Sequence, residues 1–191
     1  MIKLAPNVWK INVDSNVYYL DLAEKIIIDT GSRSDQETVK EEIEQVVQLD
    51  KVDKVILTHI HYDHAGNVDL FPHATVFASY QEIEDFKKNP LVSFNLNPKI
   101  ILYLIKKLED INKIQKFLSK NQIEMINVPG HTRGSIALFY KKERILFSGD
   151  CLFENGIGRC DLPNSAASEM DNSLEKLDKI DYKILAPGHD Y

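Results

Sequence analysis

The sequence predicts an α+β fold in which two β-sheets pack together with helices on their outer sides. Short runs of β-forming residues dominate both halves of the chain, and each half closes with a helical pattern. The length of 191 residues, with 43% hydrophobic and 27% charged side chains, suits one compact unit with a sizeable core. Residues 1–191 are therefore expected to form a single domain, with a helical insertion at about 80–120.

Residues 8–13, 17–22 and 25–29 are rich in β-branched and aromatic side chains and read as a meander of strands, the last running into Thr30-Gly31. Residues 35–49 place Val39, Ile43, Val46 and Val47 at helical spacing, and 54–57 follows as a buried strand. Beyond a histidine-rich loop the pattern predicts a short helix or turn over 67–70, a strand over 75–78 and a helix over 80–88. Pro90 and Pro98 then interrupt it. Between 99 and 120, Ile101, Leu104, Leu108, Ile111, Ile114 and Leu118 recur at steps of three and four, as in an amphipathic helix or helix pair whose lysines form the wet face. A lid, a homodimer surface and simple packing all suit that segment. Strands are expected at 123–128, 135–140 and 144–148, with Lys141-Lys142-Glu143 as a hairpin connection, then a helix over 168–179 and a strand over 183–186.

A formal net charge of −6 gives the surface no general grip on phosphate backbones, so nucleic acid is not an expected partner. No stretch approaches the roughly 20 apolar residues of a membrane span, and the N-terminus lacks a secretory apolar stretch. A cytoplasmic protein without a membrane partner is expected. Cys151 and Cys160 lack metal-ligand spacing and read as ordinary reduced thiols, Cys151 as a packed one.

The chemistry is concentrated in Thr58-His59-Ile60-His61-Tyr62-Asp63-His64-Ala65-Gly66-Asn67. In extended chain, residues two apart face the same way, so His59 and His61 can converge on one cation. Asp63 and His64 lie past a change of direction and can address a second position a few ångströms away. His131 follows Val128-Pro129-Gly130, Asp150 follows Ser148-Gly149, and His189 follows Pro187-Gly188, each where a strand runs out into a loop. Glycine before the ligand permits close backbone approach to a buried ion. Five of the six histidines are thereby accounted for, and His73 reads as a surface turn residue.

On these residues the chain resembles metallo-β-lactamase-fold metallohydrolases, the similarity running from Ile27-Ile28-Asp29-Thr30-Gly31 to His189. It is most similar in pattern to the glyoxalase II-like, or hydroxyacylglutathione hydrolase-like, branch, through Gly149-Asp150-Cys151-Leu152-Phe153 and Gly156-Ile157-Gly158-Arg159-Cys160-Asp161-Leu162-Pro163. The resemblance implies a four-layer αββα sandwich with metals at one edge. It implies that His59, His61 and His131 hold one metal, that Asp63, His64 and His189 hold another, and that Asp150 bridges them. Asp29 would orient the histidine loop.

Nitrogen and oxygen ligands suit two divalent ions, zinc first, with iron and manganese also compatible. About four positive charges against about two from Asp63 and Asp150, the catalytic candidates, would ionise a metal-bridging water near neutral pH. The expected activity is dinuclear metal-dependent hydrolysis of a small thioester, or of a lactone or other ester. Alternatives are a mononuclear iron persulfide dioxygenase using His59, His131 and Asp150, and a metal-dependent phosphodiesterase. Class B β-lactamases commonly carry a cysteine in place of this aspartate, so lactam cleavage is not expected. The chain stops at Tyr191 where glyoxalase II enzymes continue into a glutathione-binding domain, so that domain and glutathione specificity are not expected either. Arg133, standing where related sequences often have proline, is a candidate for attracting an anionic substrate, and Tyr191 for contacting it.

Overall fold

The computed structural model describes residues 1–93 and 96–191. Strands β1 (Ile2–Ala5), β2 (Val8–Ile11), β3 (Val17–Asp21), β4 (Lys25–Ile28), β5 (Lys54–Ile56), β6 (Thr75–Ala78) and β7 (Leu108–Asp110) form a seven-stranded sheet in that order. The first four are an antiparallel meander, and β4 to β7 pair in parallel. A four-stranded sheet contains β8 (Ile123–Asn127), β9 (Ile136–Tyr140), β10 (Ile145–Gly149) and β11 (Ile184–Pro187), ordered β11-β10-β9-β8 with β10 and β11 parallel.

Side chains two apart on a strand share a face, and this alternation builds the layers. Tyr18, Leu20, Ile26 and Ile28 point at the second sheet, where Ile136, Leu138, Ile145 and Phe147 meet them. Tyr19, Ile27, Val55 and Val76 point the other way, onto Val39 and Ile43 of α1 (Gln36–Glu44). The one-turn α2 (Tyr62–Ala65) lies in the histidine loop. The same outer core takes Ile83 and Phe86 of α3 (Tyr80–Lys88), and Ile100 and Leu104 of α4 (Pro98–Lys107). On the far side, Ala137 and Leu146 pack on Met170 and Leu177; α5 (Gln115–Lys120) comes before that sheet and α6 (Met170–Asp178) covers it. The result is the four-layer αββα sandwich. Ile26, Ile27 and Ile28 form an unbroken apolar run because parallel strands are covered on both faces.

Two strands escape the sequence pattern. β1 is a short, half-exposed edge strand before Pro6. β7 cuts through the helical periodicity of 99–120, pairing Leu108, Glu109 and Asp110 with Val76, Phe77 and Ala78. The helix pair is thus divided by an edge strand, and its apolar residues serve different layers: Leu104 the outer core, Ile111 and Leu118 the core between the sheets. The helix expected over 35–49 stops at Glu44, and a separate 3-10 turn covers Leu49–Lys51. Among the described residues, no helix is long and apolar enough to cross a membrane.

The carboxyl ends of β4, β5, β10 and β11 gather at one edge of the sandwich, the side of such sheets where ligands bind. There the two sheets are tied directly, Ile136 N donating to Thr58 O at 3.0 Å.

Candidate metal centre

The histidine loop is shaped from below by Asp29. Thr58 N and Thr58 Oγ1 both donate to its carboxylate at 2.8 Å. Asp29 has φ +55°, a left-handed conformation that aspartate tolerates better than branched residues, and Gly31 at φ +73° completes the turn. The loop then runs extended through His59 and His61. The single turn of α2 lifts Asp63 and His64 to another side, where Thr30 N and Thr30 Oγ1 donate to His64 O at 2.6 and 2.9 Å.

His59, His61, Asp63, His64, His131, Asp150 and His189 come together at this edge. Their ligand atoms form groups lying within 4.8 Å of one another that could hold a metal ion: His59 with His61 and His131, Asp63 with His64 and His189, and His59 with His64 and Asp150. All are buried except Asp63, which is half-buried. Asp150 lies between the triads, Oδ1 being 3.2 Å from His64 Nε2 and Oδ2 3.5 Å from Nε2 of both His131 and His189. Asp63 Oδ2 is 3.3 Å from His189 Nε2.

The outward nitrogens determine what each ring presents inward. His131 Nδ1 lies 2.7 Å from Arg159 O, and His189 Nδ1 2.6 Å from Asp14 O. A carbonyl only accepts, so each Nδ1 carries the proton and each Nε2 offers a lone pair. His64 Nδ1 donates to Asp29 Oδ2 at 2.9 Å. His59 Nδ1 donates at 3.2 Å to Thr58 Oγ1, whose own proton is committed to Asp29. His61 is turned around, with Nε2 3.4 Å from Asn164 Oδ1 and Nδ1 2.9 Å from His131 Nε2. Two imidazole lone pairs therefore converge, an arrangement that a shared cation relieves. His59 Nε2, His64 Nε2 and Asp150 Oδ1 are buried without hydrogen bonds, the 3.2 Å approach of the last two being misaligned for one. Inward lone pairs, carboxylate oxygens and orphaned buried atoms together fit divalent cations.

Burial holds His59 well below the usual histidine range, reinforced by repulsion from His64, His61 and His131. Desolvation likewise takes His61 down to about 4 and lowers His131. Burial also opposes charge on His64, but Asp150, Asp29 and Asp63 more than offset it and raise that ring well above its ordinary value. Against the same penalty, Asp150 and Asp63 hold His189 up at about 9. Asp150 is held well below the carboxylate range by His64 and His189, despite its burial. One triad is thus a nest of neutral imidazoles, while in the other the carboxylates favour a proton on His64 and His189, the place a cation takes when it binds.

A cleft of about 470 Å³ opens onto the cluster, walled in addition by Tyr62, Phe153, Ile157, Arg159, Leu162 and Tyr191. Tyr191 stacks on His189, with ring centroids 5.0 Å apart and planes inclined by 22°. The loop bearing His189 is clamped to the β2–β3 turn: Asn16 N donates to Gly188 O at 2.7 Å, and Asn16 Nδ2 to Asp190 Oδ1 at 2.8 Å. A larger groove of about 1010 Å³ nearby shares Phe153 and Ile157 but contains none of the histidines.

Arg133 is not among the residues lining the cleft. Asp85 of α3 engages its guanidinium with Nε 3.0 Å from Oδ2 and a further contact to Oδ1. The cation on the cleft is Arg159, paired with Asp161 at 2.7 and 2.8 Å. None of the described residues of the 80–120 insertion is among those lining this cleft. Cys151 packs 3.9 Å from Met170 Sδ, and burial pushes its thiol up to about 12. The supporting groups that sequence reasoning missed are Asn164 and the carbonyls of Asp14 and Arg159. A backbone carbonyl carries no signal in side-chain identity, and Asn164 sits in an unremarked turn far from His61 in sequence.

The sequence model of the Metallo-beta-lactamase superfamily matches residues 12–189. A probable metallo-hydrolase of Methanocaldococcus jannaschii is 30% identical over 188 residues, 92% of this chain and 87% of that protein. A hydroxyacylglutathione hydrolase of Aeromonas hydrophila is 31% identical over 172 residues, 87% of this chain but 57% of that protein's length. A solved structure in a di-iron-bound form is similar in fold, with a TM-score of 0.74 at 20% identity over 96% of this chain and 92% of that one.

Proposed function

The chain belongs to the Metallo-beta-lactamase superfamily, and from that premise we propose that it is a dinuclear metal-dependent hydrolase of small thioesters, or of lactones and other esters. The observation that carries this reading is the position of Asp150 between two triads whose inner atoms are lone pairs and carboxylate oxygens. His59, His61 and His131 would hold one ion, Asp63, His64 and His189 the other, with Asp150 shared. Two divalent cations there, zinc being the first choice for such ligands, would supply water ionised near neutral pH and Lewis-acid stabilisation of a developing oxyanion.

The protein's own part is to hold those ligands with their lone pairs aimed inward. Asp29, Thr58, Asn164 and the carbonyls of Asp14 and Arg159 fix the five rings before any ion arrives. Asp63 and Asp150 bring the negative charge that offsets part of the cations'. Phe153, Ile157 and Leu162 give the cleft an apolar wall suited to an acyl group, and Arg159 is the cation placed to meet an anionic one. A mononuclear iron site would need only His59, His131 and Asp150 and would leave the cluster of half-buried Asp63 with buried His64 and His189 without a task.

Metal analysis of purified protein, with a thioester, lactone and carboxylic ester panel on the same sample, tests the proposal. About two divalent ions per chain with thioester or ester cleavage is the expected result. One iron per chain, with oxygen consumed on a persulfide substrate, overturns it.

A further inference from the structure

Glu82 is a fully buried carboxylate that the hydrolytic chemistry does not use. It closes Ser79-Tyr80-Gln81-Glu82 at the start of α3, the Ser-x-x-Glu pattern of a capping box. In such a box the serine side chain takes the N–H of the glutamate, and the glutamate reaches back to the N–H of the serine. Only the first half forms here, Glu82 N donating to Ser79 Oγ at 3.1 Å. The carboxylate turns away from its own helix. Oε2 accepts from Ile60 N at 2.8 Å, and Oε1 accepts from Gly134 N at 3.2 Å and from Thr132 Oγ1.

Ile60 stands between His59 and His61, and Thr132 directly follows His131. One carboxylate therefore spans the two loops that carry the first triad, which arise from different sheets. The join has no slack: Ser79 Oγ also donates to Gly134 O at 2.6 Å, and a Cβ on Gly134 would stand 2.4 Å from Glu82 N. The second triad is oriented by other groups, Asp29 behind His64 and Asp14 O behind His189.

We propose that Glu82 is a positioning residue for the first metal, fixing the spacing between the His59 and His61 pair and His131 and thereby the affinity of that site. This rests on the dinuclear reading above. The diverted capping box places helix α3 in the service of the metal centre, and the influence is selective for one of the two ions.

Glu82→Gln keeps the shape but offers one acceptor oxygen, so its NH2 must confront the N–H of either Ile60 or Gly134. Cobalt(II) titration, followed by optical absorption and by the cobalt-shifted imidazole N–H resonances, reads the two sites separately. His61 reports through Nε2–H and the other rings through Nδ1–H. The first site is expected to weaken about tenfold or more, the loss typical of removing a partner behind the ligands, and the second to stay within about twofold. Ile83→Val thins the core-facing side of the same helix and is expected to leave both affinities unchanged. If Glu82→Gln fails to fold, judged by circular dichroism of metal-free protein, Thr132→Val removes one of the carboxylate's donors and carries the same expectation. First-site affinity within twofold of wild type, or equal weakening in Glu82→Gln and Ile83→Val, overturns the proposal. Wild-type protein that takes up no cobalt overturns the dinuclear reading itself.

Discussion

Replacing Asp29 with asparagine isolates what one carboxylate contributes to the orientation of His64. Oδ1 faces Thr58 N, while Oδ2 faces Thr58 Oγ1 and His64 Nδ1, at 2.8, 2.8 and 2.9 Å. The φ of +55° is one that asparagine also adopts, so backbone strain does not confound the comparison. Asparagine has one acceptor oxygen. With the amide turned one way, its NH2 opposes Thr58 N–H; turned the other way, it opposes His64 Nδ1–H. His64 is 0% exposed, so water does not step in. A buried donor left unpaired costs about 1–3 kcal/mol, and losing the group behind a ligating imidazole weakens metal binding about 10- to 100-fold, or about 1.4–2.8 kcal/mol. Both routes give the same expectation, a second ion bound about 10- to 100-fold more weakly. The first ion, which feels Asp29 only through Thr58 and His59, should lose less. Calorimetric zinc titration against a competing chelator measures both constants, with the metal-free Tm of each protein as the folding reference. A second-ion affinity within about twofold of wild type would refute the argument that Asp29 fixes the His64 tautomer.

Asp150→Ala should abolish turnover and lower occupancy of the second ion, both read from kinetics on metal-quantified protein; full activity would remove the shared-ligand role. Metal-free protein should show a stability maximum in pH. His61, neutral in the fold down to about 4 against an ordinary 6.5, contributes stability that is present above 6.5 and lost as pH falls toward 4. His189, raised to about 9, contributes stability that is present below 6.5 and lost as pH rises through 9. A Tm of metal-free protein that climbs steadily from pH 7 to 9.5 would contradict this, and saturating metal, by taking the place of those protons, should remove the alkaline decline. Leu104→Ala, in the outer core beneath α4, should cost about 2–5 kcal/mol in denaturant unfolding and leave metal stoichiometry unchanged.

What the sequence made legible follows from how each feature is encoded. The two packed sheets were readable because short β-forming runs dominate both halves and each half closes with a helical pattern, local features that tertiary packing merely uses, whereas the face each side chain takes in the unbroken run Ile26-Ile27-Ile28 was not. The residues now gathered at the sandwich edge were readable because three histidines and an aspartate crowd one short loop and His131, Asp150 and His189 each follow a glycine. β7 was not, since Leu108 fits the helical spacing of Leu104 and Ile111, and only the exposed edge of β6 makes an extended conformation pay. The pairing of Arg133 was not legible, because its sequence distance from His131 says nothing about Asp85, which lies on another element. Glu82 was hidden for the opposite reason: its local pattern suggests a helix cap, and the carboxylate is diverted by loops from both sheets.

The two triads draw on different lengths of chain. His131 lies before β10, whereas His189 lies after β11, the strand of its sheet latest in the chain. A chain that has left the ribosome only as far as β9 already holds every residue of the first triad, yet lacks Asp150 and the final ligand of the second. If the proposed dinuclear reading holds, the second site would form only when β11 has docked beside β10, whereas the ligands of the first precede β9.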